Sequence, residues 1–159
     1  MKIGNGDIGS VLVDRPDRLY FASGVSNSGE ERESEYKRER DLLLDQRRDL
    51  RIVYFSSLAI FYSDTRYTRH KLDMKEMIKL NFPNYCIVRL GNIDWGVNPN
   101  TLINFLKAHL RAVIRDEFRF VISQDEFLWW IDHIPERNVE MNCPGYMMKV
   151  KEIRSKYCE

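Results

Sequence analysis

The chain alternates between two hydrophobic patterns, short and nearly continuous apolar runs and longer stretches in which apolar residues recur at helical spacing. Nearly continuous apolar runs are typical of strands that are buried on both faces of a parallel sheet. The clearest are RIVYFSS at 51–57 and YCIVRLG at 85–91. Further strands are predicted at MKIG (1–4), RLYFAS (18–23), FRFVIS (118–123) and NVEMN (138–142).

Amphipathic stretches separate these runs. The first, at 29–49, is highly charged and carries a narrow apolar face made by Tyr36 and the leucines at 42–44, which predicts a mostly solvated helix. The second, at 67–82, has helical spacing and is followed by Pro83. Further helices are predicted at 98–114, 125–134 and 146–157. Strands that alternate with helices predict an α/β protein with a Rossmann-like three-layer fold and a reduced, mostly parallel sheet.

Length and composition narrow the class of protein. With 159 residues the chain is long enough for a single domain, 1–159. Its 25 Lys and Arg nearly balance 24 Asp and Glu, so no nucleic-acid partner is expected. No run approaches the roughly 18 apolar residues of a membrane span, and the N-terminal stretch has no long apolar segment. We therefore expect no membrane partner and a cytoplasmic location.

The cysteines predict neither a disulfide framework nor a metal site. Cys86, Cys143 and Cys158 are odd in number and show no CxxC spacing. Cys86 lies inside a predicted strand and is interpreted as a small buried residue. No metal ligands are expected.

A glycine turn follows the first predicted strand. Gly4, Gly6 and Gly9 have GxGxxG spacing. In such a turn the first glycine permits a tight bend, the second lets the backbone approach a pyrophosphate, and the third allows close helix packing. Taken alone, the motif is equally consistent with a plain glycine turn.

Two further motifs contain polar side chains that are suited to catalysis. Ser56 and Ser57 end a predicted buried strand at the sheet edge where open α/β sheets bind ligands, although a serine there is more often a turn or cap residue. Tyr67 and Lys71 lie one helical turn apart in YTRHK. A nearby ammonium favours the phenolate form of a tyrosine and makes it a better base. The alternative is an exposed polar pair on a helix.

The order of these motifs gives the pattern a more specific meaning. The glycine turn, FASG, FSS, YxxxK and then VRLGNIDWG follow one another as they do in the extended short-chain dehydrogenase/reductases. The chain resembles that superfamily, and within it the NAD-dependent epimerase/dehydratase family that modifies nucleotide sugars. The resemblance is densest from Leu19 to Thr101. It implies an NAD- or NADP-dependent oxidoreductase, with residues 92–159 contributing a small substrate-side region.

The resemblance also implies roles for individual residues. Tyr67 matches the catalytic tyrosine, which removes a proton from a sugar hydroxyl, and Lys71 matches the lysine that lowers the tyrosine pKa and hydrogen-bonds the nicotinamide ribose. Ser57 matches the residue that hydrogen-bonds the reacting oxygen. Asn92 resembles a residue near the sugar-nucleotide site. The cofactor-binding residues implied by the resemblance are Gly4, Gly6, Gly9, Ala22, Ser23 and Lys71.

The chain departs from the family pattern after the glycine turn. Only SVLVDRPD, at 10–17, separates Gly9 from the next predicted strand, which leaves room for about one short helix. A shortened member that lacks the family's second and third strands is therefore expected. The acidic residue that would bind the adenosine ribose has no counterpart, because Asp14 and Asp17 come too early and fit a turn around Pro16.

These departures leave two functions open. The first is a compacted epimerase/dehydratase that uses Tyr67, Lys71 and Ser57. The second is a degenerate, non-redox homologue that binds a nucleotide sugar or a protein partner without a dinucleotide. The resemblance also implies a homodimer through the helices that contain Tyr36–Leu44 and Tyr67–Leu80, although those apolar residues are equally suited to the core of a monomer.

Overall fold

A computed structural model describes residues 1–159 and contains eight strands and six α-helices, which we number in chain order. The strands are β1 (Lys2–Ile3), β2 (Arg18–Phe21), β3 (Arg51–Ser57), β4 (Tyr85–Leu90), β5 (Asn92–Ile93), β6 (Phe118–Ile122), β7 (Val139–Cys143) and β8 (Tyr146–Lys149). The helices are α1 (Asp7–Val11), α2 (Glu33–Leu44), α3 (Arg66–Asn81), α4 (Leu102–Ala108), α5 (Gln124–Asp132) and α6 (Val150–Cys158). One turn of 3-10 helix covers Leu58–Phe61.

The main sheet has five strands in the order β1-β2-β3-β4-β7, and every neighbouring pair in it is parallel. Helices cover both of its faces, so the α/β, Rossmann-like three-layer fold predicted from the sequence is confirmed. The sheet is also reduced, since no strand lies beyond β1. None of the helices combines the length and apolar character that crossing a bilayer requires.

Strand β3 shows why its sequence is almost continuously apolar. Ile52 and Tyr54 face one core cluster, which includes residues of α2 and α3. Val53 and Phe55 face the opposite cluster, which includes residues of α5. Because successive side chains of a strand point to opposite faces, both sets are buried only when both faces are covered.

A second, three-stranded sheet has the order β5-β6-β8. Strand β6 pairs with β5 in parallel and with β8 antiparallel, and α4 and α6 pack on this unit through Ile103, Leu106 and Ile153. Residues 92–159 are therefore divided between the two sheets, because β7 belongs to the main one.

Two predicted helices differ from the structure. The helix predicted over 98–114 is only α4, which ends at Ala108 with His109 as its C-cap. The helix predicted over 146–157 begins at Val150, because Tyr146–Lys149 pair with β6 as a strand. In the second case pairing with a neighbouring strand outweighs the helical propensity of methionine and lysine, an effect that a local pattern does not reveal.

Candidate active site

The carboxyl ends of the first four strands open into one cleft of about 880 Å³. Such an edge is where open α/β sheets bind ligands. The turn after β1, the loop after β2, the end of β3 and the start of β5 all border it. Of the residues singled out in the sequence, it is lined by Gly4, Gly6, Ala22, Ser23, Ser56, Ser57, Tyr67, Lys71 and Asn92.

The glycine turn forms one wall of the cleft, and its three glycines have different surroundings. Gly4 has a φ of +99°, and a Cβ there would overlap the Ala22 carbonyl at the end of β2. Gly6 has no atom within 4 Å of its would-be Cβ and faces open space. Gly9 lies outside the cleft lining, is buried, and packs against the Gly4 carbonyl. The turn thus needs Gly4 and Gly9 for close packing, while Gly6 leaves its backbone accessible.

Asp7 ties this turn to the opposite wall. Its carboxylate accepts hydrogen bonds from the amides of Val97 at 3.0 Å and Asn98 at 2.9 Å. Its carbonyl oxygen accepts one from Trp95 Nε1 at 2.9 Å. Asn98 Nδ2 in turn donates to Ser26 Oγ at 3.0 Å. The loop at 95–98, which follows β5, is therefore fastened to the start of α1 and to the loop after β2.

Tyr67 and Lys71 share one face of α3. This helix begins at a capping box in which Thr65 and Thr68 satisfy each other's backbone amides. Tyr67 is half-buried at the cleft, and the Lys71 Nζ lies 5.5 Å from the centre of its ring. Lys71 itself is buried and donates to the Tyr54 hydroxyl at 3.1 Å. The ammonium is thus held beside the phenol, as the spacing of YTRHK requires.

Ser57 and Asn92 border the same cleft, and both have structural partners. Ser57 Oγ accepts from the Ala59 amide at 3.1 Å and caps the 3-10 turn that follows β3. Asn92 Nδ2 donates to the Phe120 carbonyl at 2.9 Å and so connects β5 to β6. The cap interpretation of Ser57 is therefore correct, and its position on the cleft leaves a second role available.

Glu39 is the residue of this region that the sequence interpretation missed. It lies on α2, the helix expected to be mostly solvated, yet it is fully buried. Its carboxylate accepts from the Val25 amide at 2.7 Å, from Tyr54 at 2.6 Å and from His70 Nε2 at 2.9 Å, and it pairs with Lys71 at 3.4 Å. A sequence signal existed, because Glu39 follows Tyr36 by three positions and precedes Leu43 by four, on the buried face of the helix.

The surroundings of Glu39 keep it ionised. Burial alone raises the pKa of a carboxyl, but the charge of Lys71 and the hydrogen bonds from His70, Tyr54 and the Val25 amide outweigh it. The pKa of Glu39 is therefore well below its ordinary value. Burial, followed by the neighbouring Glu39 charge, raises the pKa of Tyr54 well above 10. Tyr54 is thus a neutral hydrogen-bonding partner of the two charged groups.

The outer part of the cleft carries exposed charge instead. The Arg38 guanidinium donates to the Ser23 carbonyl at 3.0 Å and pairs with Glu35 at 3.1 Å. Arg119, from β6, lines the cleft close to Tyr62, with its guanidinium carbon 5.0 Å from the centre of that ring. No group of three or more His, Cys, Asp or Glu side chains is arranged to hold a metal ion.

No model of a known protein family matches the sequence, and no curated protein matches it significantly. The fold, in contrast, matches solved structures. The Bordetella bronchiseptica enzyme WbmG in complex with NAD has a TM-score of 0.65 at 13% identity, over 89% of this chain and 56% of WbmG. A variant of UDP-glucuronic acid 4-epimerase from Bacillus cereus, in complex with NAD and a fluorinated UDP-sugar, has a TM-score of 0.68 at 11% identity, over 87% and 57%.

A dTDP-glucose 4,6-dehydratase from Bacillus anthracis, in complex with NAD, has a TM-score of 0.63 at 12% identity, over 87% of this chain and 56% of the dehydratase. These neighbours are of the kind that the sequence resemblance named. At such low identity the likeness shows the fold alone. The chain spans little more than half the length of each of these enzymes.

Proposed function

We propose that the chain is a shortened relative of the NAD-dependent epimerase/dehydratases among the extended short-chain dehydrogenase/reductases, acting on a nucleotide sugar. The observation that carries the proposal is the convergence of Tyr67, Lys71 and Ser57 on the same cleft as the glycine turn. The acid/base pair at the start of α3 and the open glycine turn after β1 follow strands of the same parallel sheet and meet at its carboxyl edge. Their meeting at one sheet edge is what a dinucleotide-dependent site requires.

The residues present fit the nicotinamide and diphosphate part of an NAD or NADP molecule. The backbone at Gly6 is free of neighbours, so a diphosphate can approach it closely, and Ala22 and Ser23 border the same wall. When bound, a nicotinamide would accept and return a hydride. Its adenosine part would meet no protein beyond β1, because β1 is the edge of the sheet.

In this function the side chains of the cleft handle the proton and orient the sugar. Tyr67 removes the proton of the reacting hydroxyl as a phenolate, and the adjacent Lys71 ammonium favours that ionised form. The Ser57 hydroxyl hydrogen-bonds the reacting oxygen. On the far wall, Asn92 and Arg119 of the 92–159 region face the cleft and are suited to the hydroxyls and phosphates of a nucleotide sugar.

Calorimetric titration with NAD(H) and NADP(H), followed by turnover assays with UDP- and dTDP-sugars, tests the proposal. Tyr67→Phe removes one hydroxyl that makes no hydrogen bond within the protein, so the fold is retained, and turnover falls by roughly 10²-fold or more. Tyr146→Phe, at an exposed position on β8, is the matched control and retains turnover. Dialysed protein that binds neither dinucleotide, together with full activity of Tyr67→Phe, would sink the enzymatic proposal.

A second function is favoured by the open edge at β1. If the missing adenosine wall prevents dinucleotide binding, the chain is a non-redox homologue that binds a nucleotide sugar or a protein partner. A nucleotide sugar then raises the melting temperature with no dinucleotide present, because a ligand that binds only the native state stabilises it. An absorption spectrum showing nicotinamide carried through purification would contradict this alternative.

The homodimer stays a proposal as well. Helices α2 and α3 pack side by side, and Leu44, Leu72 and Leu80 remain exposed on them, Leu80 by 84%. Light scattering after gel filtration measures the mass, and Leu80→Glu is expected to shift a dimer to monomer. Val113→Glu, at a fully exposed site outside these helices, should leave the mass unchanged. A monomeric mass for the unmodified chain would contradict the dimer.

The cytoplasmic location remains a prediction.

A further inference from the structure

A buried carboxylate lies directly behind the acid/base pair. Glu39, on α2, is fully buried, and all of its hydrogen-bond donors come from other parts of the chain. They are the Val25 amide of the loop after β2, Tyr54 of β3, and His70 and Lys71 of α3. An ionised carboxylate only accepts hydrogen bonds, so His70 Nε2 carries the hydrogen in this contact. Such complete satisfaction fixes the carboxylate in place.

Lys71 is as deeply buried as its partner, with 3% of its side chain exposed. A buried ammonium is unfavourable unless an anion compensates its charge. Glu39 is the only carboxylate within ion-pairing distance of its Nζ, at 3.4 Å. Of the three donors of an ammonium, the contacts to Glu39 and Tyr54 occupy two and leave one for the cleft.

We propose that Glu39 is the positioning residue of this site, whose carboxylate keeps the Lys71 ammonium charged in its buried place and fixes Nζ beside Tyr67. The inference rests on the proposed function, because it gives Glu39 the task of maintaining the cation on which Tyr67 depends. Glu39 does not touch the cleft itself, and it acts through Lys71.

The neighbouring backbone is shaped around this pair. A Cβ on Gly24 would lie 2.8 Å from Lys71 Nζ and 3.0 Å from Glu39 Oε1, so only glycine leaves both groups where they are. Lys71 is faced by Glu39 from α2, by Tyr54 from β3, and by Tyr67 and His70 on its own helix. Tyr54 and Tyr67 are neutral when protonated, and His70 already donates to Glu39. Glu39 is thus the only carboxylate that faces the ammonium.

The first test measures the NMR chemical shift of the Lys71 ε-carbon against pH, in ligand-free protein that contains isotope-labelled lysine. The spectrum of Lys71→Met, which lacks this signal, assigns it. In the unmodified chain Lys71 should be fully charged at pH 7. In Glu39→Gln, which keeps the size of the side chain but removes its charge and one acceptor oxygen, the Lys71 titration midpoint should fall by roughly 1–3 pH units. Asp41→Asn, at an exposed position of α2 where the carboxylate pairs with Lys37, should leave the midpoint unchanged. A neutral Lys71 at pH 7, or equal midpoints in Glu39→Gln and the unmodified chain, would overturn the proposal.

The reciprocal test does not depend on the folding of Glu39→Gln. In Lys71→Met the carboxylate loses the ammonium that pairs with it, so the Glu39 carboxyl resonance should titrate at least one pH unit higher than in the unmodified chain. A carboxyl that titrates identically with and without Lys71 would show that the two charges do not depend on each other, and the proposal would fail.

Turnover provides the third readout. Glu39→Gln should lower kcat with little change of KM for the sugar, and should have no further effect when Lys71 is already methionine. An equal loss in both backgrounds would mean that Glu39 acts only on stability and would contradict the proposal. Neither NMR test needs substrate or cofactor, so a failure of the proposed enzymatic function, with no turnover in any variant, leaves the role of Glu39 decided by the two titrations.

Discussion

The two ends of the cleft are built differently. At the inner end, Lys71 and Glu39 are buried, paired and hydrogen-bonded by residues from three separate elements. At the outer end, the glycine turn follows β1, a strand of only two residues that pairs with β2 and has no neighbour on its other side. The inner end is therefore fixed by the fold, whereas the outer end is bounded by protein on one side only.

Because of this difference, the arrangement of the buried charged groups and the affinity for a dinucleotide depend on different parts of the cleft. Buried charges that are fully compensated hold their geometry without a ligand, so Lys71 and Glu39 keep their arrangement in the free protein. Binding of a long dinucleotide, in contrast, depends on walls along its whole length. Under the proposed function, such a site would retain the geometry of Tyr67 and Lys71 but would bind the dinucleotide weakly.

Removing the carboxylate at the inner end should have the largest effect. Glu39→Ala leaves the Lys71 ammonium buried without a partner, and breaking a buried pair in this way costs roughly 3–5 kcal/mol. Glu33→Ala, also on α2, breaks a solvent-exposed pair with Arg66 of α3 and should cost much less. Urea unfolding measures the loss of unfolding free energy in each variant. Equal losses would contradict the expected difference between the buried pair and the exposed pair.

The glycine turn can be tested by a matched pair of substitutions. Gly4→Ala places a Cβ against the Ala22 carbonyl and a non-glycine residue at positive φ, so it should lower the free energy of unfolding by roughly 1–3 kcal/mol. Gly6→Ala meets open space and should cost about 1 kcal/mol or less. Its effect should fall on dinucleotide affinity. Thermal unfolding measures the stability of each variant, and calorimetry measures its dinucleotide affinity. If Gly6→Ala were the less stable variant, the assignment of close packing to Gly4 and open backbone to Gly6 would be wrong.

Acid sensitivity should be concentrated at the inner end. Because the pKa of Glu39 is lower in the folded protein than its ordinary value of 4.5, its contribution to stability is present above about pH 4.5 and is lost as the pH falls towards the lower, folded value. Glu39→Gln removes this dependence, worth up to about 1.4 kcal/mol per pH unit. Urea midpoints from pH 6 to pH 3 should therefore fall less steeply in the variant. Parallel curves would contradict the ionised state of Glu39.

The smallest effect is expected from exposed charge at the outer end. Arg38→Gln removes a cation at Ser23, where a bound dinucleotide would pass, and should weaken its binding only a few-fold, since exposed pairs contribute about 1 kcal/mol or less. The loss should shrink further at high salt. Lys37→Gln, on the same helix and paired with Asp41, is the control. A loss above about 100-fold would show that the outer end is more enclosed than the structure indicates.

The sequence was informative wherever a local pattern has one physical cause. Runs such as 51–57 are apolar throughout because both faces of β3 are covered, and the capped, periodic stretch at 67–82 has no alternative to a helix. Glycine spacing and the order of motifs also placed the groups that line the cleft at the same sheet edge, since parallel strands end together.

The sequence failed where distant residues decide the outcome. Glu39 lies among charged neighbours, and its burial depends on Tyr54 and Lys71, which are 15 and 32 positions away. Tyr146–Lys149 form a strand because β6 offers a free edge, and the β5-β6-β8 sheet itself depends on such pairings. Only the three-dimensional arrangement supplies these partners.

Asp7 connects the two walls of the cleft, so a ligand at one wall can affect the other. It belongs to the glycine turn, yet its carboxylate and carbonyl hold the loop at 95–98. A diphosphate bound at the glycine turn would repel the Asp7 carboxylate, and a displaced Asp7 would release that loop; a sugar that reorders the loop would in turn shift Asp7. Binding at one wall is then linked to binding at the other, and thermodynamic linkage requires that each ligand change the other's affinity by the same factor. A shift of this one aspartate would thereby couple the two walls of the cleft.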